Sequence, residues 1–256
     1  MHENEFLKLY KYRSLSGNHG RDTAQNIILH HRMFWQSPLE FNDPFDCDPV
    51  VIFGRSEKER LDWIKRANAS NVDITNRLQR RNKKRELIQK PPDQHELEMR
   101  VAWREWMAET AVSCFSSVND HQLMWGHYAD SHKGVCFAFE EQYWRNEGWI
   151  AFDVSYSSIR PVVNLTQLRD ADVMRDSLLN KSDVWDYERE FRMIEWRKRP
   201  GIREFPEKAL KGVILGARIS DCDRDFIIDL AGKRPHLKIW KAECDPSQFR
   251  LNIVNF

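Results

Sequence analysis

The chain has 256 residues and its charges nearly balance, with 40 Lys and Arg against 39 Asp and Glu. Chains of this length bury a core without disulfide or metal staples, and the balance argues against a protein held on nucleic acid by bulk charge, although a local basic patch stays open. The N-terminus lacks the basic start and apolar run of a signal peptide, and no apolar run is long enough to span a membrane. The five cysteines form no CxxC pair, so we expect no zinc ribbon and a reduced, cytoplasmic protein.

The first third of the chain predicts two strands followed by a charged helical region. Residues 6–15 and 33–37 read as strands, and residues 22–31 as a short helix. In the turn-rich segment 38–44 we expect Asn42 and Asp43 to bond local backbone amides. From residue 56 to residue 90 the composition shifts to Lys, Arg, Glu, Asn and Gln, which predicts a helical excursion over residues 55–110. Its basic stretch, residues 77–85, is more typical of a solvated helix face than of a phosphate-binding surface.

The rest of the chain mixes strands and helices without regular alternation. Residues 93–111 predict a helix in which Leu97, Val101, Trp103 and Met107 form a core stripe. Strands are predicted at 111–116, 150–156, 211–218, 237–242 and 249–254, and helices at 123–129, 165–180 and 221–231. Residues 134–139 are nearly all apolar, which predicts a central strand. This order favours an α+β fold with a mixed, twisted sheet, in a single domain that covers residues 1–256.

The segment Trp185-Asp-Tyr-Glu-Arg-Glu-Phe-Arg192 places acidic and basic side chains between aromatic ones. If residues 188–196 form a strand, Glu188, Glu190 and Arg192 share one face, and residues 189, 191 and 193 share the other. Isolated carboxylates are costly to bury, so either Arg192 pairs with them or the face is wet. A ligand-binding floor and a surface ladder of ion pairs both fit this pattern.

The polar block at residues 113–134 lies between two apolar strands, where functional sites tend to be found. His127 and Tyr128 are its strongest candidates, and each also fits a structural hydrogen-bonding role. The chain has neither a nucleophile elbow nor a P-loop. We predict no bound metal, because proline interrupts the acidic residues of segment 42–48 and the spacing of a calcium loop is missing. A metal-dependent nuclease that uses Asp43, Asp46, Glu188 and Glu190 stays open.

Six motifs in order resemble a bacterial family of domains of unknown function that is often met near phage-defence genes. The motifs are Leu9-Tyr-Lys-Tyr-Arg13, Trp35-Gln-Ser-Pro38, Phe41-Asn-Asp-Pro-Phe-Asp46, Met124-Trp-Gly-His-Tyr-Ala129, His132-Lys-Gly-Val135 and Trp185-Asp-Tyr-Glu-Arg-Glu-Phe-Arg192. This resemblance runs over residues 7–254. It implies relatives and a setting in defence, and it implies no established chemistry.

The layout also resembles domains of the ADP-ribosyltransferase type. Those domains carry an Arg or His on the first strand, a second motif with Ser or Tyr around bound NAD, and a late Glu, often as Glu-x-Glu. The resemblance implies Arg13 for the first position, Ser116–Ser117 or Tyr128 for the second, and Glu188-Arg-Glu190 for the third. The Glu would hold a ribose hydroxyl and stabilise the cation-like transition state as nicotinamide leaves.

The leading hypothesis is therefore an NAD-consuming enzyme of the ADP-ribosyltransferase type, with NAD as its substrate. It would act as a bacterial defence or toxin effector on a nucleic acid or protein target. A recognition module without catalysis and a metal-dependent nuclease are the alternatives. The expected catalytic residues are Glu190, the first choice, with Glu188 and His127, and the expected cofactor-binding residues are Arg13, Tyr12, Ser116, Tyr128 and Arg192.

Overall fold

The chain folds into a large mixed sheet with helices packed on both of its faces, and the predicted α+β class is confirmed. The computed structural model describes residues 7–70, 76–167 and 176–256. The strands are β1 (Lys8–Arg13), β2 (Arg32–Trp35), β3 (Val50–Ile52), β4 (Ala111–Ser116), β5 (Val135–Glu140), β6 (Phe152–Asp153), β7 (Ser155–Ser157), β8 (Val162–Asn164), β9 (Asn180–Ser182), β10 (Glu190–Glu195), β11 (Gly201–Glu204), β12 (Leu210–Leu215), β13 (Lys238–Cys244) and β14 (Leu251–Asn255). The helices are α1 (Gly17–His30), α2 (Glu57–Ser70), α3 (Arg77–Gln89), α4 (Pro92–Ala108), α5 (Gln122–Tyr128), α6 (Gln142–Arg145) and α7 (Asp221–Gly232).

The main sheet has the strand order β14-β13-β12-β5-β1-β4-β10-β6. Strands β12 and β13 run parallel, and the other neighbours run antiparallel, so the sheet is mixed. Strand β5 lies in its middle, as its apolar sequence predicts. The predicted second strand forms as β2, but it pairs with β11 outside the main sheet. The strand predicted at 150–156 is divided into β6 and β7.

Alternation along the strands sends side chains to two separate cores. Leu9, Phe115 and Phe137 point to the larger core, where they meet apolar residues of α1 and α7. Tyr12 and Cys136 point to the opposite face, where α5 covers them with Trp125. The candidate site described below takes residues from both faces, because the sheet opens where β1 and β4 separate.

The charged segment forms helices, as predicted, but the core stripe of α4 is displaced from the predicted one. The inward-facing row of α4 consists of the buried His95, Trp103 and Met107 and the half-buried Met99, at intervals of four positions. Leu97 and Val101 are exposed, because two residues of offset place them across the helix from this stripe. Helix α3 buries none of its residues. The boundary of the excursion and the single-domain assignment stay predictions.

Two other helix predictions differ from the structure in their bounds. Helix α1 begins at Gly17, five residues before the predicted start. Gly20 lies in its first turn, where a Cβ atom would stand 2.6 Å from the backbone of Leu15, so this glycine allows a close approach and does not end the helix. Half of the helix predicted at 165–180, residues 168–175, lies outside the described part of the chain. Of the described half, residues 165–167 form a 3-10 helix and residue 180 begins strand β9.

Within residues 7–70, 76–167 and 176–256, no helix has the length and apolar character that crossing a bilayer demands.

Candidate functional site

The candidate site is a cavity that opens where β1 and β4 separate. The two strands pair through Tyr10 opposite Ser116. Near its start, β4 pairs instead with Gln36, whose backbone exchanges hydrogen bonds of 3.0 and 2.9 Å with that of Val112. Between these points lies a cavity of about 280 Å³. This volume is at the lower end of the range of ligand pockets, so the cavity suits a ligand of nucleoside size.

One side of this cavity is formed by a buried cluster of five charged side chains, Asp46, Lys181, Glu188, Glu190 and Arg192, of which all but Arg192 line the cavity. The Lys181 ammonium contacts Glu188, lies 3.1 Å from Glu190 Oε2 and lies 3.6 Å from Asp46 Oδ2. The Arg192 guanidinium is fully buried and binds Glu190 at 2.7 and 2.9 Å and Asp46 at 2.7 and 3.0 Å. Bidentate pairs of this kind are the strong form of charge-assisted hydrogen bond.

The backbone brings Glu188 and Glu190 to this cluster by a route that the sequence did not predict. Glu188 ends a 3-10 helix, Asp183–Glu188, and Arg189 then adopts a left-handed conformation with φ 44°. The strand therefore begins at Glu190, and the prediction of a strand from residue 188 is wrong. Both carboxylates nevertheless reach Lys181. Phe191 and Met193 point to the opposite face and join the larger core, as the alternation predicts.

Three carboxylates face two cations in this cluster, so one negative charge is left uncompensated. Burial alone would raise the pKa of Glu190, but Arg192 and Lys181 outweigh it and lower this pKa to about 2. For Glu188, burial raises the pKa and only Lys181 and Tyr128 oppose the shift, so its pKa lies above the ordinary value. Burial alone would lower the pKa of Lys181, but the carboxylates raise it. Of the two glutamates, Glu188 therefore takes up a proton more readily.

The two glutamates also differ in the capacity that they have left for a ligand. Glu188 accepts one hydrogen bond at each oxygen, from Tyr128 at 2.6 Å and from Lys181. A carboxylate has about four acceptor positions, so about two stay open. Glu190 already accepts two bonds from Arg192 and one from Lys181. Both residues line the cavity, but Glu188 is better able to bind a ligand there.

The opposite wall carries two basic residues of β1, Lys11 and Arg13. Lys11 is buried, and its ammonium donates to Ser113 Oγ at 3.0 Å and to the carbonyl of Cys114 at 2.7 Å. Arg13 is half-buried and donates to the carbonyl of Tyr12 at 3.3 Å. Among the described residues, neither has a carboxylate within ion-pair distance. Burial lowers the pKa of both residues, and Arg13 lowers that of Lys11 further.

Two predicted ligand contacts, Tyr12 and Ser116, line the cavity with their hydroxyl groups engaged. The Tyr12 hydroxyl donates to the carbonyl of Val118 at 2.9 Å. The Ser116 hydroxyl donates to the carbonyl of Glu188 at 2.6 Å and accepts from the amide of Val118 at 3.1 Å. Ser116 therefore fixes the backbone that carries Glu188, and its predicted contact with a cofactor stays a prediction.

Two of the predicted site residues, His127 and Arg192, do not line the cavity. His127 is exposed on α5, where its ring lies 6.3 Å from that of Trp185 and 6.4 Å from that of Tyr187. Arg192 uses all five of its N–H groups on Asp46, Glu190 and the carbonyl of Leu178. It cannot donate to a cofactor, so its predicted binding role becomes a role in holding the two carboxylates.

The turn at residues 42–46 connects the site to a distant part of the chain. Asp43 accepts from the amide of Phe45 at 2.9 Å, as predicted, and its second oxygen accepts from the Trp185 indole at 2.8 Å. Asn42 was expected to act similarly. Its side chain is exposed, lines the cavity and has no hydrogen-bond partner within the described residues. Asn42 is therefore available to a ligand and does not stabilise the turn.

Lys181 and Lys11 are the site residues that the sequence reasoning missed. Lys181 lies four residues before the segment 185–192, and Lys11 lies inside the first motif, so proximity to the predicted residues was the available signal. A bound metal ion would have to replace Lys181, whose ammonium already occupies the space between the three carboxylates. Within the described residues, no group of three His, Cys, Asp or Glu side chains is arranged to hold a metal ion.

Comparison with known proteins finds a similarity to one family over part of the chain. Residues 124–193 match the sequence model of a family described as "Protein of unknown function (DUF2971)". The matched region runs from α5 into β10 and contains Tyr128, Lys181, Glu188, Glu190 and Arg192. The expected resemblance to a family of unknown function is confirmed at this level. No curated protein and no solved structure matches the chain.

Proposed function

We propose that the cavity between β1 and β4 cleaves the N-glycosidic bond of NAD, in the manner of ADP-ribosyltransferases. The observation that carries the proposal is the pairing of opposite chemistries across one small cavity. Glu188 faces it as a buried carboxylate with open acceptor positions, and Arg13 faces it as a cation without an acidic partner among the described residues. Such a cavity can hold a ribose hydroxyl at one wall and a phosphate at the other.

The proposed chemistry assigns different roles to the two glutamates. As the bond between nicotinamide and C1′ of the ribose breaks, its electron pair leaves with nicotinamide and positive charge develops on the ribose. The Glu188 carboxylate lies in a desolvated site, where it stabilises such charge more strongly than it would in water. An acceptor, water or a nucleophile of the target, then bonds to C1′ and passes its proton to Glu188. Glu190 keeps Lys181 and Arg192 in place.

The dimensions of the cavity fit one half of the dinucleotide. With about 280 Å³, the cavity can enclose the nicotinamide riboside part, while the adenosine part stays outside. Tyr10 and Tyr12 line the cavity and offer aromatic surface to the nicotinamide ring. The proposed setting is the bacterial cytoplasm, as a defence or toxin effector, where thiols stay reduced. The five cysteines, all within the described residues, are free thiols.

The first test is release of nicotinamide from NAD, measured by chromatography. We expect the folded protein to release nicotinamide and Glu188→Gln to lower the rate by about 100-fold or more, because the stabilising charge is lost. Glu243→Gln is the matched control, since Glu243 is an exposed carboxylate on β13 outside the cavity. It should keep the full rate.

A second set of incubations distinguishes the proposed reaction from a metal-dependent nuclease and from a recognition module. The protein is also incubated with RNA and with DNA in the presence of Mg²⁺ or Mn²⁺. Strand cleavage without nicotinamide release would replace the proposal with a metal-dependent nuclease. Neither reaction from folded protein would replace it with a recognition module. An unchanged rate in Glu188→Gln would exclude Glu188 from the chemistry.

A further inference from the structure

A second and larger cavity, of about 850 Å³, lies on the sheet face next to the proposed active site. Its floor follows one row of register partners across four strands. Tyr10 of β1 lies opposite Ala138 of β5, Ala138 opposite Gly212 of β12, and Gly212 opposite Lys238 of β13. Register partners on neighbouring strands present their side chains on the same face. Two small residues between two large ones therefore leave a trough across the sheet.

Aromatic side chains bound this trough at both ends. Tyr10 is half-buried at one end, and Trp240 is half-buried at the other. The Trp240 ring leans over Gly212, where a Cβ atom would stand 2.3 Å from the ring. The missing side chain at position 212 thus gives the indole its place against the sheet. Both rings line the trough and can stack on planar ligands.

The charges that face the trough are mainly positive. Lys8 and Lys238 are exposed, and neither forms an ion pair within the described residues. Lys211 lies 3.2 Å from Glu140, the carboxylate that lines the trough, so these two charges offset each other. His236 lies at the rim. Two lysines without acidic partners therefore remain for an anionic ligand.

We propose that this trough binds a single-stranded nucleic acid. Aromatic rings on an open sheet face, flanked by lysines, are the arrangement that single strands need, because each base has a face to stack and each phosphate needs a cation. A duplex hides its base faces and could not use Tyr10 and Trp240. An acidic peptide would use the lysines but would gain little from the two aromatic rings.

The trough also leads to the proposed active site. Tyr10 lines both cavities, and its register partner Ser116 lies beside Glu188. A strand lying across the trough would thus place its next unit near the smaller cavity. The binding proposal does not rest on the proposed reaction, since Tyr10 alone is common to the two cavities and binding is measured without NAD.

The test is fluorescence anisotropy of labelled oligouridylate and oligothymidylate, with a labelled duplex for comparison. We expect the single strands to bind and the duplex to bind far more weakly. The double variant Lys8→Ala/Lys238→Ala should weaken single-strand binding by roughly tenfold, because two phosphate contacts are lost. The slope of log K against log salt should become less steep by about 1.4, at about 0.7 for each lost contact.

The matched control is Arg81→Ala/Arg85→Ala, which removes two exposed cations from helix α3. It should leave binding unchanged, and circular dichroism should show that both double variants are folded. Binding that is lost in the α3 variant and kept in the β1/β13 variant would assign the surface to α3 and overturn the proposal. Equal binding of duplex and single strand would overturn it as well, and so would the absence of binding to either strand.

Discussion

At the scale of single residues, Glu188 and Glu190 show how two identical side chains two positions apart acquire different roles. Glu190 accepts three charge-assisted hydrogen bonds, and its pKa falls to about 2. Within the described residues, Glu188 accepts hydrogen bonds only from Lys181 and Tyr128, and burial raises its pKa. The sequence pattern Glu-x-Glu favours the second glutamate for chemistry. The hydrogen bonds favour the first, because a carboxylate held by two cations has little capacity left for a substrate.

This division predicts opposite effects on stability and activity. Glu190→Gln should lower the free energy of unfolding by about 3 kcal/mol or more, because Arg192 loses a buried charge partner. Glu188→Gln should cost about 1 kcal/mol or less, because it removes the uncompensated charge and leaves one hydrogen bond weakened. Urea denaturation of the two variants measures both values. Similar losses in the two variants would contradict the division of roles.

The pH dependence of Glu190→Gln provides a second check on the same residue. A carboxyl with a pKa lowered from 4.5 to about 2 stabilises the fold above pH 4.5, and this contribution is lost as the pH falls towards 2. The stability difference between the wild type and Glu190→Gln should therefore shrink over that range. A difference that stays constant from pH 5 to the acid transition, roughly as it is at neutral pH, would show that Glu190 is not charged in the folded protein.

Lys11 should make stability depend on pH in the alkaline range, because burial lowers its pKa well below 10.5. The unfolded chain then binds a proton that the folded chain releases, so this residue makes the fold more stable as the pH rises from the folded pKa towards 10.5. Compared with Lys11→Met, the wild type should gain stability between neutral pH and mildly alkaline pH. Denaturation at both pH values tests this, and parallel pH profiles would contradict a lowered pKa at Lys11.

At the scale of elements, the site depends on a short turn that joins a 3-10 helix to β10. Arg189 occupies a left-handed conformation with φ 44° and ψ 54°, and its exposed side chain contacts Asp186 at 3.3 Å. This turn lets Glu188 and Glu190 converge on Lys181. Left-handed conformations are costly for side chains branched at Cβ and free of cost for glycine.

Substitutions at Arg189 should therefore rank by backbone preference. Arg189→Gly should match or exceed the melting temperature of the wild type, whereas Arg189→Val should lose about 1–2 kcal/mol. Arg189→Ala is the control that removes the guanidinium and its weak surface ion pair without adding a branched side chain. If valine and alanine are tolerated equally, the backbone conformation at this position is not what sets the stability of the turn.

Elements with strong local patterns could be predicted from the sequence, and those set by tertiary contacts could not. The apolar run of β5 predicts its central position, and the charged composition of α3 predicts its solvated surface. The stripe of α4 was misplaced because His95, a polar residue, stacks on Phe53 at 4.2 Å and takes the buried position that Leu97 was expected to fill. The pairing of β2 with β11 depends on residues almost 170 positions apart, which no local pattern records.

At the scale of the whole molecule, the candidate site assembles from four segments that are far apart in sequence. These are β1, residues 34–46, β4 with α5, and residues 181–192. The ordered motifs predicted that these segments matter, and six of the eight predicted site residues line the cavity. Sequence could not tell that Arg192 lies behind the carboxylates or that His127 points away, since both outcomes depend on how the segments pack together.

The main sheet and helix α3 differ in how many of their residues are buried. Strand β5 is buried on both faces, whereas α3 buries no residue and contacts the rest of the chain mainly through α2. Opening free energies are low where apolar burial is sparse. We therefore expect the amide hydrogens of α3 to exchange at least about 100-fold faster than those of β5 under native conditions, which corresponds to about 2.7 kcal/mol.

Hydrogen exchange followed by mass spectrometry measures both segments in one experiment. Helix α7 is the internal control, because it is a helix of similar length that buries Ile227 and Leu230 in the larger core. Its protection should resemble that of β5, so that fast exchange in α3 reports missing burial and not helical structure as such. If α3 and β5 are equally protected, the excursion is an integral part of the folded core. Its charged face would then have to be explained by contacts other than apolar burial.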